Sequence, residues 1–160
     1  MSVFKSQYTR ALKVIPSNDA NIPYPNLIRE ALTTGTGADR LIDSAAEFVT
    51  NNVQPGDVVY NITSDLAATV IKVISQTTLE LNVDIISNGQ VYALYNASSQ
   101  TSNGNPGCYL YIGSAGNIEV TTIGQDTVVF NGVLAGAILP VQVISVKPDN
   151  TDVTNIIALW

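Results

Sequence analysis

The chain contains no histidine. That absence removes Ser-His-Asp and Cys-His catalysis, imidazole proton shuttles and histidine-based zinc sites. It has a single cysteine, Cys108. An internal disulfide framework and a thiolate metal cluster are therefore excluded, a reducing site of synthesis is expected, and the thiol is expected to be a small buried hydrophobe. Charge is scarce: Asp, Glu, Lys and Arg make up 12% of 160 residues, about half the ~25% usual for soluble domains. The surface must then be covered by Asn, Ser, Thr and Gln, or be buried by other subunits. No apolar run approaches the ~20 residues that span a bilayer, so neither a transmembrane helix nor a membrane partner is expected. The opening MSVFKSQYTRALKVIPSNDA has no continuous apolar segment with a cleavage site, so no signal peptide is expected.

What is present is enough apolar residue, 46%, to build a core. The net charge of −6 is uneven. Residues 1–29 carry Lys5, Arg10, Lys13 and Arg29 against Asp19 alone, a net +3, while residues 30–160 carry three cations against twelve carboxylates, a net −9. A basic arm over residues 1–35 precedes an acidic body. The arm also holds Phe4, Tyr8, Ile15, Ile22 and Tyr24, with prolines at 16, 23 and 25. Proline removes an amide donor and pushes the residue before it to extended angles, so 15–25 is expected to be extended. Phe4, Tyr8, Arg10, Lys13, Ile15, Pro16, Ile22, Tyr24 and Pro25 are the candidate docking residues of the arm. The surface they meet is either this chain's body or another subunit.

Past the arm, the pattern is all-β: antiparallel sandwich or small β-barrel modules. Leu27–Leu32 has room for one or two helical turns. In residues 38–50 a strand at Arg40–Asp43 followed by a loop inserting Phe48 is preferred to a helix. Strands are expected at Val58–Ile62, Ala68–Ser75, Thr78–Val83 and Gln90–Tyr95, with a hairpin at Gln76-Thr77. These make a first module over 36–95. Residues 96–107, NASSQTSNGNPG, form a polar linker or loop. The second module, 108–160, has strands at Cys108–Ile112, Ile118–Ile123, Thr127–Phe130, Ala137–Val146 and Thr154–Trp160, with a turn at Asn131-Gly132. Pro140 inside a strand argues for an edge position or a bulge. Gly132–Val146 is apolar on both faces. Leu134, Ile138, Leu139 and Trp160 are therefore candidate oligomer-interface residues, with their own domain as the alternative.

No constellation points to catalysis or to a cofactor. Asp57, Asp65 and Asp84 lie near turns, and nothing in the spacing pairs two of them across a cleft as a glycosidase requires. Gly35-Thr36-Gly37 has no following Lys-Ser/Thr and no βαβ surround, so it is no nucleotide loop. Asp149–Asp152 lacks the glycine and glutamate of an EF-hand and is read as a turn. The two Asn-x-Ser/Thr sites, at Asn61 and Asn96, are read as chance in an Asn- and Thr-rich chain. An acidic body with few clustered cations argues against nucleic acid.

Two patterns carry a family resemblance. Residues 41–95, LIDSAAEFVTNNVQPGDVVYN…ATVIKVISQTTLELNVDII…GQVYALY, present Leu-x-Asp, a Phe plug, Gly-Asp-x-Val-x-Asn, a Val-x-x-Val strand, Thr-x-Leu-x-Leu and a closing Tyr strand. Residues 111–160, YIGSAGNIEVTT…DTVVFNGVLAGAILPVQVISV…TNIIALW, present a Gly-x-x-Gly turn, a Leu-Pro-Val-x-Val strand and a terminal Asn-Ile-x-Ala-aromatic strand. Together with the arm, these resemble small structural proteins of tailed bacteriophage virions. The resemblance implies a non-enzymatic virion component made in the bacterial host cytoplasm. It would bind and stabilise the capsid lattice as a decoration or cement protein. A tail, neck or baseplate component is the alternative, and a glycan-binding adhesin the second. The implied partners are further copies of itself, as a homotrimer, and the major capsid protein or other virion proteins.

Overall fold

The structure is a computed structural model that describes residues 7–97 and 107–160. The twelve strands in chain order are β1 (Ala11–Lys13), β2 (Leu27–Leu32), β3 (Arg40–Ile42), β4 (Val58–Asn61), β5 (Leu66–Ser75), β6 (Thr78–Leu81), β7 (Val91–Tyr95), β8 (Cys108–Tyr111), β9 (Gly116–Thr122), β10 (Thr127–Val133), β11 (Ile138–Lys147) and β12 (Ile157–Leu159). Among the described residues there is no helix, and every strand pair is antiparallel. The all-β fold expected from the sequence is thus the fold observed.

The chain forms two compact units, residues 15–106 and residues 1–14 with 107–160. This division differs from the expected arm at 1–35. The stretch from 1 to 35 contributes β1 to one unit and β2 to the other, because both sheets take a strand from it.

In the 15–106 unit the strand order is β2-β7-β4-β5-β6-β3. Leu27–Leu32 is strand β2 and not helical turns. Six residues are too few to sustain a helix alone, and the edge of β7 offers a ladder from Leu27↔Tyr95 to Leu32↔Val91, irregular only between Leu27 and Arg29. The core holds Leu41, Phe48, Val59, Val70, Leu79, Leu81, Tyr92 and Leu94. Phe48 is fully buried from the loop after β3, as its sequence position suggested. The opposite face of β4 is covered too. Ser17 Oγ donates to Ala67 O (3.3 Å), and Thr69 Oγ1 and Asn82 Nδ2 donate to Asp19 O at 2.9 and 2.7 Å. These bonds fasten the turn at 17–19 to this sheet.

The two edges of this sheet, β2 and β3, are brought back together. Thr34 N donates to Ile42 O (2.9 Å), and Gly35 bridges Ile42. Beside this seam, Arg29 Nε of β2 donates to Asp43 Oδ2 at 2.7 Å, Tyr92 Oη of β7 donates to the same oxygen at 2.7 Å, and Ala45 N donates to Oδ1 at 2.9 Å. Asp43 and Tyr92 are both buried. Burial alone would raise the Asp43 carboxyl; the hydrogen bonds from Tyr92, Arg29 and Ala45 outweigh it and hold the group below the usual carboxylate range. Burial first, and then the hydrogen bond to Asp43, push the Tyr92 hydroxyl up, which keeps it protonated as a donor.

In the other unit the order is β1-β12-β8-β11-β9-β10. Leu110, Ile112, Ile118, Val120, Val143, Val146 and Ala158 are buried. Pro140 lies in β11, which is interior to the sheet, so it takes the bulge and not the edge. The register with β8 shifts between Leu139 and Val143. The expected turn at Asn131-Gly132 is instead inside β10. Gly132 takes φ +65° and the register with β9 shifts between Phe130 and Val133, so the strand absorbs the two residues as an irregularity and turns at 134–137. Gly113 sits where a Cβ would lie 2.5 Å from Asn155 Cβ and 2.8 Å from Asn155 O. The glycine therefore lets the β8–β9 connection pass against the chain before β12.

Asp43→Ala is expected to cost about 3 kcal/mol, since it strands a cation and a buried hydroxyl. Arg29→Ala is expected to cost about 2 kcal/mol, because it leaves the buried Asp43 carboxylate to Tyr92 and the Ala45 amide alone. Asp43's folded pKa is depressed, so its contribution is full above the ordinary carboxyl value and is lost as pH falls through the lower folded one. Urea denaturation at neutral pH and at about pH 3 measures both effects.

Candidate interaction surfaces

Register places the side chains of the 1–14 and 107–160 unit on two faces. Leu139, Leu110, Ala158 and Leu12 lie opposite one another across β11, β8, β12 and β1, and form a row on the core face. The neighbouring row, Ile138, Tyr111, Ile157 and Lys13, therefore points the other way, as does the row of Tyr109, Leu159 and Ala11. Ile138 and Tyr111 are exposed, and Ile157, Tyr109 and Leu159 are half-buried. Tyr8 lies against Tyr109, with ring centroids 5.7 Å apart. Across β11, β8, β12 and β1 the outer face is thus aliphatic and aromatic, with Lys13 at its β1 margin, while Glu119 of β9 and Lys147 of β11 lie on the same side farther along the sheet.

The four residues proposed for an oligomer interface separate on this geometry. Leu134 is 73% exposed at the tip of the β10–β11 turn and Ile138 is 45% exposed on the outer face. Leu139 is 4% exposed and belongs to the core row. Trp160 is half-buried, and its backbone pairs with Arg10 in both directions (3.0 and 3.1 Å).

Of the arm residues, Phe4 lies outside the described residues. Tyr8 is half-buried, and Arg10 and Lys13 are exposed, with Lys13 opposite Ile157 in the β1–β12 ladder. Ile15 and Ile22 are buried within the chain, and Pro16, Tyr24 and Pro25 are half-buried. The extended, proline-spaced stretch is present, and the surface that takes up its aliphatic anchors is in this chain.

The polar side chains tested for chemistry have local partners. Asp57 is fully buried and its Oδ atoms accept Gln54 N (2.8 Å) and Ala97 N (3.1 Å); burial nevertheless raises its pKa against those two bonds. Asn61 is buried with all its polar atoms engaged: Nδ2 donates to Ile85 O and Gln90 Oε1, and Oδ1 accepts Thr63 N and Ser64 N. In the turn at 149–152, Thr151 Oγ1 accepts Glu119 N and Asp152 Oδ1 accepts Asn117 N, so this turn staples β9. A polar cleft of about 300 Å³ lies between this turn and β10. Among the described residues no three His, Cys, Asp or Glu side chains gather as a metal site. Cys108 is buried, its Sγ donating to Val143 O, and burial pushes its thiol up to about 12.

Sequence reasoning missed Tyr109, Tyr111 and Ile157 as members of an outer face. The alternation in CYLYI carried the signal for the tyrosines, which stand at every second position between Cys108, Leu110 and Ile112. It missed the Arg29–Asp43–Tyr92 group because the three are far apart in the chain.

Comparison with known proteins adds no identity: no family model matches the chain, and no curated protein or solved structure is detectably similar to it.

Leu139→Ala is expected to cost about 3 kcal/mol by leaving a core cavity, while Leu134→Ser changes stability by under about 0.5 kcal/mol; chemical denaturation separates the two. Deletion of residues 1–25 removes β1 and the buried Ile15 and Ile22. It is expected to abolish cooperative unfolding and not to leave an intact body, with circular dichroism and thermal melts as the readout.

Proposed function

We propose that this chain is a structural protein of a tailed bacteriophage virion, which binds the capsid lattice as a decoration or cement protein and reinforces it. It acts as a homo-oligomer, a trimer by the resemblance, made in the host cytoplasm and carried in the particle. The observation that carries the reading is where the two resembling patterns fall. Residues 41–95 lie in one compact unit and 111–160 in the other. The pattern residues Asp43, Phe48, Asp57, Asn61, Leu79 and Leu81 are all buried in the first unit. They act as braces of a rigid β body and do not converge on a cleft.

The surface is in keeping with this reading. A protein with 12% charged residues turns an apolar, tyrosine-bearing sheet face outward. Such a face gains free energy from burial at roughly 25 cal/mol per Å², before the cost of ordering. The cations at Arg10 and Lys13 border it, in a chain that is acidic elsewhere. These features suit attachment to a large, repetitive protein surface.

The test is a mass-spectrometric count of this chain in purified particles separated into heads and tails. Hundreds of copies with the heads is the expected result. Between about six and a few dozen copies with the tails would move the protein to the neck, tail or baseplate, on the symmetry of such assemblies. Absence from both fractions would overturn the virion reading.

A further inference from the structure

We propose that β10 is the pairing edge for a second copy of this chain. The two strands meet antiparallel about a two-fold axis at Val129. β10 is the terminal strand of its sheet, seven residues long, TVVFNGV, without a charge or a proline. Edge strands are ordinarily protected from such pairing by charge, proline or cover.

The direction of its free backbone groups follows from β9. Thr122 N donates to Asp126 O at 2.8 Å, toward β10, whereas Glu119 N donates away from it, to Thr151 Oγ1 at 2.9 Å. Even-numbered residues of β9 therefore share hydrogen bonds with β10, and odd-numbered ones do not. Thr127 and Val129, opposite Thr121 and Glu119, must point their N–H and C=O groups away from the sheet. Among the described residues neither finds a backbone partner on that side.

The side chains indicate which strand fits. Val128 and Phe130 stand opposite Val120 and Ile118, both fully buried, so they continue the core row. Yet Val128 is 41% exposed and Phe130 only half-buried. The core row stops short at this edge, and one more apolar strand would complete it. An antiparallel copy with Val129 opposite Val129 sets Val128 against Phe130 twice, and Thr127 against Asn131 twice. The strand is thus complementary to itself in this register. Charge favours the same occupant: in a chain of net −6, an uncharged strand is where two copies approach with least repulsion. The contact is two-fold, so it doubles whatever ring other surfaces build. It holds whether or not the chain belongs to a virion.

The full chain is tested by sedimentation at about 10–100 µM, the range suited to a small interface. Val129→Pro deletes an outward N–H and leaves the β9 ladder intact, and is expected to halve the sedimenting mass. Val129→Lys gains Glu119 within its own chain, meets its own copy across the axis, and is expected to do the same. In a second arm, Val128→Cys and Phe130→Cys chains are mixed under mild oxidation. The register brings these positions to a Cα separation of about 4.5 Å, within disulfide reach. A covalent pair is expected in the mixture and not in either variant alone. Equal masses for the parent chain and both Val129 variants overturn the proposal, as does equal cross-linking in the single variants.

Discussion

The 15–106 unit depends on closing a seam between two strands that are not neighbours in sequence. A six-stranded antiparallel sheet has two open edges, and here β2 and β3 are turned toward each other by the Thr34–Ile42 bond and the Gly35–Ile42 bridge. A seam with so short a backbone ladder needs something else to hold it. Asp43 supplies this by accepting from Arg29 on β2, Tyr92 on β7 and the amide of Ala45. Burying a carboxylate is costly unless it is well hydrogen-bonded, and here three donors from both sides of the seam reach it. Arg29 reaches water on one side, so the pair is not sealed in, and its second charge is cheaper to keep.

The other unit is built on a different constraint. Its sheet keeps one side as core, turns Ile138 and Tyr111 outward on the other, and ends on β10, whose outward backbone groups meet no other strand among the described residues. Two kinds of stickiness result. The outer face, with Ile138, Tyr111 and Tyr109, offers area without direction, and suits a broad protein surface. The edge at β10 offers hydrogen bonds in a fixed register and accepts only another strand. A protein carrying both can contact a large support with one and a copy of itself with the other.

The N-terminal stretch connects the two. Its net positive charge and proline spacing mark a docking arm for this chain's body or another subunit; Ile15 and Ile22 are buried in this chain and the turn at 17–19 is bonded to Ala67, Thr69 and Asn82. Arg10 and Lys13 remain exposed beside the outer face. The apolar half of the arm therefore serves folding, and its cations belong to the surface.

By itself the sequence determined the class of fold. Alternation in TLEL, the short apolar run VYALY, the glycine and asparagine turns and the shortage of helical periodicity are local signals, and local chemistry decides strand against helix. It also determined the plug at Phe48 and the burial of Cys108, each following from one residue's size, whereas Pro140 allowed an edge or a bulge until the strand order placed β11 inside its sheet. Only the tertiary structure decided which strands pair. Leu27–Leu32 is a strand because β7 has an edge to fill, not because of its own composition. The Asp43 group joins positions 29, 43 and 92, and no short-range pattern marks such a triad. Leu139 and Ile138 are adjacent and equally apolar, yet one is core and the other surface. A strand's two faces differ only by what the fold lays against each.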